Sequence, residues 1–464
     1  MDKPNNQEGS IRNNSTPTGL LHLPIDVLRC ILSRLSLKQV VRMNMLSHEW
    51  RRLGICRPDL VFNGYTFVRT KTTWYKNMDS VAMEFVTGVD NVLRLLSPPS
   101  TATTTTLDRF VVKFGLNMRY TQHIDRWIDF LTALMGKHIG IDLVGGNTSE
   151  DGKYVVPLCK LSGPDGSRVK SLYRANVCLK PPPSFRGIAN LKKLSLHYVS
   201  IDAGDLQCLL LSCALLESLS LERCPLPSLS IYHELRQLQY LSVRRCAVGT
   251  IQLQAPNLTT FEFVDCLTPI ALDESFKLSE ATFVLRSKSF TWCCDATDYI
   301  LMELPTIFPH VHKLSLHFVV FQKVHRFSKS NTTFLNLRHL NLNISIMSSP
   351  EDTSWVTRFV YLLELAPLLQ ELELHIKCDR FRVPSARIVT VVPGPRHRHL
   401  RSVHITGFWD LVGIAELALY ILENATVLER MVVDPLAKEG LLQHKKFAEK
   451  HLSRDEFRHI ITIL

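Results

Sequence analysis

The chain has 464 residues, 45% of them hydrophobic and 21% charged, a composition typical of a folded globular protein with room for several domains or one repeat array. No apolar run approaches the ~20 residues needed to cross a bilayer, and the polar N-terminus lacks the apolar core of a signal peptide. Twelve cysteines without a C-x-x-C pair exclude a disulfide scaffold and predict a reduced, cytoplasmic or nuclear location.

The formal charge of +11 comes from 54 basic and 43 acidic residues. Such an excess is typical of proteins that bind nucleic acid or an acidic partner. Here it is spread along the chain, with small clusters at residues 51–52, 396–401 and 445–446. This distribution argues against a dedicated nucleic-acid function and favours an acidic partner protein.

Residues 1–19 are polar and predict a disordered tail. The next stretch, residues 23–53, predicts three short helices. Apolar residues at helical spacing indicate the first helix, with Pro24 in its first turn, and residues 39–45 form the second. Leu46 and Trp50 lie one turn apart on the third. So short a segment encloses little core by itself, and we expect it to pack on the remaining chain or on a partner.

The segment resembles an F-box in its Leu-Pro opening, its Ile31-Leu32 pair and its Trp50-Arg51 end. Ile25, Ser36 and Gln39 depart mildly from that pattern. The resemblance implies an F-box at residues 20–60 that docks onto a Skp-type adaptor and through it a cullin. Ten residues are predicted to dock or to hold the docking helices: Leu23, Pro24, Leu28, Ile31, Leu32, Leu35, Val40, Val41, Leu46 and Trp50. The alternative is an unrelated helical subdomain.

Residues 61–105 are predicted to form a helical linker or N-terminal cap. Apolar spacing predicts a helix over residues 79–96, which stops before Pro98-Pro99 and a threonine-rich loop. Beyond it, the pattern predicts a strand at 110–114, a helix at 124–135 and a short strand at 141–143.

Residues 106–395 contain repeated L-x-x-L-x-L units and predict a leucine-rich-repeat solenoid of the α/β class. Each unit supplies one short strand, and stacked units make a parallel sheet on the concave side. A degenerate copy is predicted near residues 281–285. The central apolar residues of the units are Leu194, Leu219, Leu241, Phe261, Leu314, Leu340, Leu372 and, in a weaker copy just beyond residue 395, Val403.

Cys224, Cys246 and Cys266 occupy one offset after the strands, where leucine-rich repeats place Asn or Cys. We interpret these thiols as structural. Histidines that follow the strand pattern, such as His197, His317 and His375, lie either on the binding face or in solvated loops.

The C-terminal part, residues 396–464, predicts a strand, a helix and a strand, followed by a last helix over about residues 445–464. It resembles the FBD region of plant F-box proteins with leucine-rich repeats. Structurally it would cap the open end of the solenoid.

Catalytic signatures are missing from the sequence. His48-Glu49 and His233-Glu234 lack the second histidine of a zinc motif, and no P-loop or G-x-S-x-G motif occurs. We interpret residues 396–399, Arg-His-Arg-His, as a basic loop rather than a metal or phosphate site. No catalytic residue, cofactor or metal is predicted.

Together, the resemblances imply a non-catalytic substrate receptor of a Skp–cullin–F-box type ubiquitin ligase, whose repeats bind an unidentified target protein. The alternative is a repeat scaffold without a ubiquitin role, capped by the N-terminal helices. A third interpretation, a small-molecule receptor, has family precedent but no predicted pocket. A membrane partner is not expected.

Overall fold

The structure is a computed structural model. It describes residues 23–46, 59–67, 78–96, 107–134, 136–145, 152–161, 167–183, 185–273, 277–285, 296–320, 332–346, 354–378, 394–408, 411, 413–435 and 441–464.

The described strands are short, with two to eight residues each, and turns, loops or helices separate them. In chain order they are β1 (Asp59–Asn63), β2 (Arg109–Lys113), β3 (His138–Asp142), β4 (Tyr154–Val155), β5 (Ser171–Ala175), β6 (Val177–Cys178), β7 (Lys193–His197), β8 (Ser218–Glu222), β9 (Leu229–Ile231), β10 (Tyr240–Arg244), β11 (Ile251–Gln254), β12 (Thr260–Asp265), β13 (Ile270–Asp273), β14 (Glu280–Leu285), β15 (Lys313–Val320), β16 (His339–Ile346), β17 (Glu371–Cys378), β18 (Ser402–Thr406), β19 (Arg430–Asp434) and β20 (Ile461–Ile463).

The described helices are α1 (Ile25–Arg34), α2 (Leu37–Leu46), α3 (Gly64–Phe67), α4 (Met78–Leu96), α5 (Thr121–Ala133), α6 (Ala203–Leu211), α7 (Ala296–Met302), α8 (Leu304–Ile307), α9 (Ser354–Glu364), α10 (Ile414–Asn424) and α11 (Leu441–Leu452). Single 3₁₀ turns occur at Met118–Tyr120, Leu158–Leu161 and Asp455–Phe457. Among these helices, none is long and apolar enough to cross a membrane.

Fifteen of the strands form one parallel sheet whose order follows the chain: β1, β2, β3, β5, β7, β8, β10, β12, β14, β15, β16, β17, β18, β19, β20. Two small parallel sheets, β4-β6 and β9-β11-β13, lie beside it. A long, sequentially ordered parallel sheet is the signature of stacked repeats, so the predicted α/β solenoid is confirmed.

The register of the sheet reproduces the predicted repeat positions. Leu194 pairs with Leu219, and Leu219 pairs with Leu241. The degenerate copy is strand β14, in which Ala281 pairs with Phe261 on one side and Leu314 on the other. The interval between residues 261 and 314 therefore contains one repeat strand among the described residues.

Inward side chains of the strands form a single continuous core. In β16, Leu340, Leu342, Ile344 and Ile346 are buried, while the alternate residues are half-buried on the solvent side. Strands of one sheet lie about 4.8 Å apart, whereas packed helices lie about 8–10 Å apart. In a curved stack of repeats, the layer with the shorter spacing lies on the inner side. We therefore expect the sheet on the concave side of the solenoid.

The sheet extends beyond the predicted array at its N-terminal end. Strand β1 pairs in parallel with β2, so the sheet includes Asp59–Asn63, which precede the predicted array. Its short, mixed sequence carries little local strand signal, and only its parallel partner across 45 residues makes it a strand. The sheet continues through the boundaries predicted at residues 105 and 395, and the division into those segments remains a prediction.

The predicted last helix is wrong beyond its middle. Helix α11 ends at Leu452, and β20 then adds the final strand beside β19. Pairing with β19 supplies backbone partners for this segment, as the Leu464 N–H shows by donating to the Val433 carbonyl oxygen at 3.0 Å.

Several consecutive repeats end in a left-handed residue. Asn176, Tyr198, Arg223 and Arg245 each follow the last residue of a strand, with φ between 52° and 54°. Their N–H groups donate to the neighbouring strand; for example, the Arg223 N–H reaches the Arg244 carbonyl oxygen at 2.8 Å. This turn is a periodic feature of the sheet edge.

Candidate functional site

Helix α1 presents one buried side and one exposed side. Pro24 lies immediately before the helix, not in its first turn, and its carbonyl accepts the Leu28 N–H at 3.1 Å. Leu28 and Leu32 are 3% and 0% exposed, and Leu35 is half-buried beside them. These predicted residues therefore lie on the buried side of the helix.

The other side of α1 carries apolar residues in contact with solvent. Leu23 is 38% exposed and Val27 is 43% exposed, and Ile31 is half-buried one turn further along. Val27 and Ile31 lie four residues apart on one side of the helix, and Leu23 lies just before the helix begins at Ile25. We call Leu23, Val27 and Ile31 the exposed α1 surface. The sequence analysis missed Val27, although its spacing from Leu23 and Ile31 could have indicated it.

Helix α2 begins with a capping box. The Gln39 N–H donates to Ser36 Oγ at 3.3 Å, and the Ser36 N–H donates to Gln39 Oε1 at 2.9 Å. This reciprocal pair satisfies two N–H groups at the start of the helix. The two departures from the F-box pattern at these positions are thus compatible with a well-formed helix.

The buried side of α2 packs on the first repeat. Leu37 and Val40 belong to the same core as Leu32 of α1 and as Leu60 and Phe62 of β1. Val41 and Leu46 lie within α2, at positions where the side chains are not described, and Trp50 with the predicted third helix lies outside the described residues. The N-terminal helices therefore complete part of their core with the repeats.

The solvent side of the sheet is lined by polar side chains. His197, His317 and His375 lie within β7, β15 and β17 and are half-buried or exposed, so they face solvent from strands rather than from loops. Small hydroxyl residues such as Ser195 and Ser220 occupy the middle row. Of the two positions considered for the histidines, the structure selects the sheet face.

Near the C-terminal end, this face carries a hydrogen-bonded network. His339 Nδ1 lies 2.9 Å from Glu371 Oε2, and its Nε2 lies 3.4 Å from Glu373 Oε1. His375 Nδ1 lies 2.6 Å from Thr406 Oγ1. An open pocket of about 710 Å³ adjoins the network, with Glu371, Glu373 and His404 among its lining residues. Polar side chains on a rigid sheet can bind a protein segment through hydrogen bonds.

The cysteines of the repeats occupy the interior. Cys224 and Cys246 are buried, and their Sγ atoms contact the carbonyl oxygens of Leu196 and Leu221 at 3.6 and 3.5 Å. Cys266 is half-buried at the same offset. A hydrogen bond with Cys246, together with burial, raises the pKa of the Cys224 thiol, which disfavours its reactive thiolate. These positions support a structural role.

Arg396, Arg398 and His399 are exposed, but His397 is buried and 2.8 Å from the Tyr420 hydroxyl through its Nε2 atom. His397 thus anchors the basic loop to α10. In the described part of the chain, no group of three or more His, Cys, Asp or Glu side chains is arranged to hold a metal ion.

Burial also lowers the pKa of His397 below its ordinary value of 6.5. Below pH 6.5 the His397 imidazole binds a proton in the unfolded chain but not in the folded chain. The free energy of unfolding is therefore highest above pH 6.5 and falls as the pH drops below that value. We expect the urea concentration at the midpoint of unfolding to fall less between about pH 7.5 and 5.5 in His397→Gln than in the wild-type chain, because glutamine does not titrate. The exposed neighbour His399→Gln should retain the wild-type loss, and equal losses in both variants would contradict the assignment.

The fold and these surfaces define a leucine-rich-repeat solenoid with an F-box-like pair of helices packed on its first repeat. Comparison with known families agrees: residues 104–459 match the family described as At1g61320/AtMIF1, LRR domain, and residues 20–54 match the F-box domain. The chain belongs to this leucine-rich-repeat family and carries an F-box domain at its N-terminus.

Relatives from Arabidopsis thaliana combine the same parts. The chain is 27% identical to the F-box/FBD/LRR-repeat protein At1g13570 over 44% of each chain, and 25% identical to the putative F-box protein At3g58860 over 52% of this chain and 50% of that protein. It is 24% identical to the putative F-box/FBD/LRR-repeat protein At5g62970 over 91% of this chain and 95% of that protein. The match spans about half the length of the first two relatives. Two of the three names include FBD, the region that residues 396–464 resemble.

Proposed function

We propose that this chain is the substrate-recognition subunit of a Skp–cullin–F-box type ubiquitin ligase. The observation that carries the proposal is the exposed α1 surface, an apolar surface within the segment that matches the F-box domain. Exposed apolar residues that are grouped on one side of a helix favour a protein partner. The partner in this proposal is a Skp-type adaptor, which links the chain to a cullin in the cytoplasm or nucleus.

In this arrangement the chain performs no chemistry. The solvent side of the sheet binds the target protein, and other subunits transfer ubiquitin. Holding the target in the same complex as the ubiquitin-carrying enzyme raises its effective concentration, which is how a non-catalytic receptor accelerates the reaction. The C-terminal segment, residues 396–464, is proposed to be the FBD-like cap that closes the array.

A second candidate is a repeat scaffold that binds proteins without any ubiquitin role. The shared core of Leu32, Leu37 and Val40 with the first repeat favours it, because a terminal cap is expected to bury its apolar side in just this way. The two candidates differ in what they require of the exposed α1 surface. A ubiquitin-ligase subunit requires that surface to bind an adaptor, whereas in a cap the surface can remain exposed to solvent.

We expect Leu23→Asp combined with Val27→Asp to reduce capture of a co-expressed Skp-type adaptor by about 100-fold. Each apolar side chain buried at an interface contributes about 1.5–3 kcal/mol, and a carboxylate in its place adds a desolvation cost. Both residues are already partly in water, so the fold should be retained. Affinity pulldown from cells that express both proteins measures the effect, with circular dichroism as the check on folding.

The matched control is Val144→Asp combined with Val427→Asp. These valines are 42% exposed and lie in turns far along the chain from α1. The control should capture the adaptor as the wild-type chain does. If the α1 variant captures as much adaptor as the control, or the wild-type chain captures none, the scaffold is the better function.

A further inference from the structure

Basic side chains gather where strands β7, β8 and β10 end. Arg223 follows β8, Arg244 ends β10 and Arg245 follows it. Tyr198 follows β7, and Lys153 Nζ reaches the Tyr198 carbonyl oxygen at 3.1 Å. Since adjacent strands lie about 4.8 Å apart, these side chains form one continuous surface. We call Lys153, Tyr198, Arg223, Arg244 and Arg245 the basic edge.

The positive charge of the basic edge is poorly neutralised. Arg244 and Arg245 are exposed, and neither side chain has an acidic partner within 4.0 Å among the described residues. The nearest acid in the register, Glu222, faces His197 at 4.0 Å instead. Asp265 is 7% exposed, and its carboxylate accepts the Ala247 N–H at 2.6 Å. The basic edge therefore contains several positively charged side chains and one half-exposed carboxylate, that of Glu222.

The backbone under this surface is in an unfavourable conformation. Tyr198, Arg223 and Arg245 are left-handed, which costs about 1–2 kcal/mol for a residue other than Gly, Asn or Asp. The equivalent turn after β5 uses Asn176, a residue that tolerates this conformation. Strained positions that carry exposed functional groups are typical of binding sites. Here the strain places two arginines and a tyrosine in a row.

The rigidity of the edge suits planar anions. The Arg223 guanidinium carbon lies 4.9 Å from the centre of the Tyr198 ring, and Arg223 Nη1 donates to the Tyr198 hydroxyl. This contact orders Arg223 and covers one face of the ring, which a nucleic-acid base would need for stacking. Arginine binds carboxylates through two parallel N–H donors. Because the covered ring face is lost to base stacking, the edge favours a carboxylate ligand over a nucleic acid.

We propose that the basic edge binds an acidic segment, rich in Asp and Glu, of the target protein. This inference rests on the proposed target-receptor function, since it names the chemistry that the repeats recognise. The overall charge of +11 is consistent with such a partner.

The test measures fluorescence anisotropy of a labelled 12-residue peptide, of about half glutamate and half glycine, with the full-length chain. The double variant R244E/R245E is compared with R186E/R338E, which reverses two exposed arginines elsewhere. Both variants change the net charge equally, so they separate a local site from general attraction. We expect R244E/R245E to weaken peptide binding at least about tenfold and R186E/R338E to change it less than about twofold. R244K/R245K, which preserves charge but not the paired donors, should lie between them.

Three results would overturn the inference: equal weakening by both charge reversals, absence of binding by the wild-type chain, or loss in R244E/R245E of binding to a 12-nucleotide RNA while peptide binding stays unchanged. Adaptor pulldown on the same variants is expected to stay at the wild-type level. If the chain binds the peptide but does not capture the adaptor, the ubiquitin-ligase function is wrong and the acidic-segment site stands. The two proposals can therefore be contradicted independently.

Discussion

Replacing Gly407 by alanine is expected to lower the free energy of unfolding by about 3 kcal/mol or more. Gly407 follows β18 with φ of +75°, a conformation that L-residues adopt only at a cost. An added Cβ would lie 2.0 Å from the Ile376 carbonyl oxygen, which belongs to the adjacent strand β17. Because the obstacle is backbone, relief requires β17 and β18 to separate. Urea unfolding followed by circular dichroism measures the change in midpoint.

The matched control is Gly204→Ala in helix α6. Its φ is not positive, and the nearest atom to an added Cβ is Asp202 Oδ1 at 3.4 Å. Alanine in a helix restricts the unfolded chain and is expected to raise stability by about 0.5–1 kcal/mol. Opposite shifts of the two midpoints support the close approach at Gly407. Similar shifts would show that the two strands are not held as closely as the structure places them.

The second large effect is a gain in stability from Arg174→Met. Arg174 points into the core from β5 and is 0% exposed. Its Nη1 donates to the Tyr173 carbonyl oxygen at 3.2 Å, whereas Nε and Nη2 have no hydrogen-bond partner. Burial lowers the pKa of this guanidinium to about 9, since the charged form is poorly solvated there. Methionine keeps most of the volume without the buried charge, and we expect a gain of about 1–4 kcal/mol.

Arg358→Met provides the contrast. Arg358 is 3% exposed, but its Nη1 lies 3.6 Å from Asp298 Oδ1. Removing this arginine takes away the counter-charge of the Asp298 carboxylate, so stability should fall. The same urea titration compares the two variants. A loss of stability in Arg174→Met as large as that in Arg358→Met would mean that the Arg174 charge is compensated inside the core.

The local pattern of leucines was sufficient to predict the repeats. In an L-x-x-L-x-L unit the last two leucines are two residues apart, which places both on the same face of a strand. This spacing can be recognised from the local sequence, without knowledge of distant residues. The spacing therefore placed Leu194, Leu219 and Leu241 in register, and it also located the degenerate strand around Ala281. The helices predicted at 79–96 and 124–135 appear as Met78–Leu96 and Thr121–Ala133 for the same reason, because their apolar periodicity is local.

Other features depend on contacts between distant parts of the chain. Asp59–Asn63 and Ile461–Ile463 are strands because β2 and β19 offer them a parallel edge, and no short sequence window contains that partner. Which side of α1 is buried also depends on contacts with distant parts of the chain. Helical spacing alone placed Leu28 and Ile31 in one set, but the tertiary structure buries Leu28 and leaves Val27 in solvent.

The sequence by itself determined the repeat architecture and the resemblance of the N-terminal segment, because both reside in short patterns of residue type and spacing. Only the tertiary structure decided which side of α1 is available to a partner, and only it assembled the basic edge. Arg223 and Arg245 are 22 residues apart in the chain and become neighbours solely because β8 and β10 pair. Surfaces that a protein presents to others are built from such pairings, and a local pattern cannot contain them.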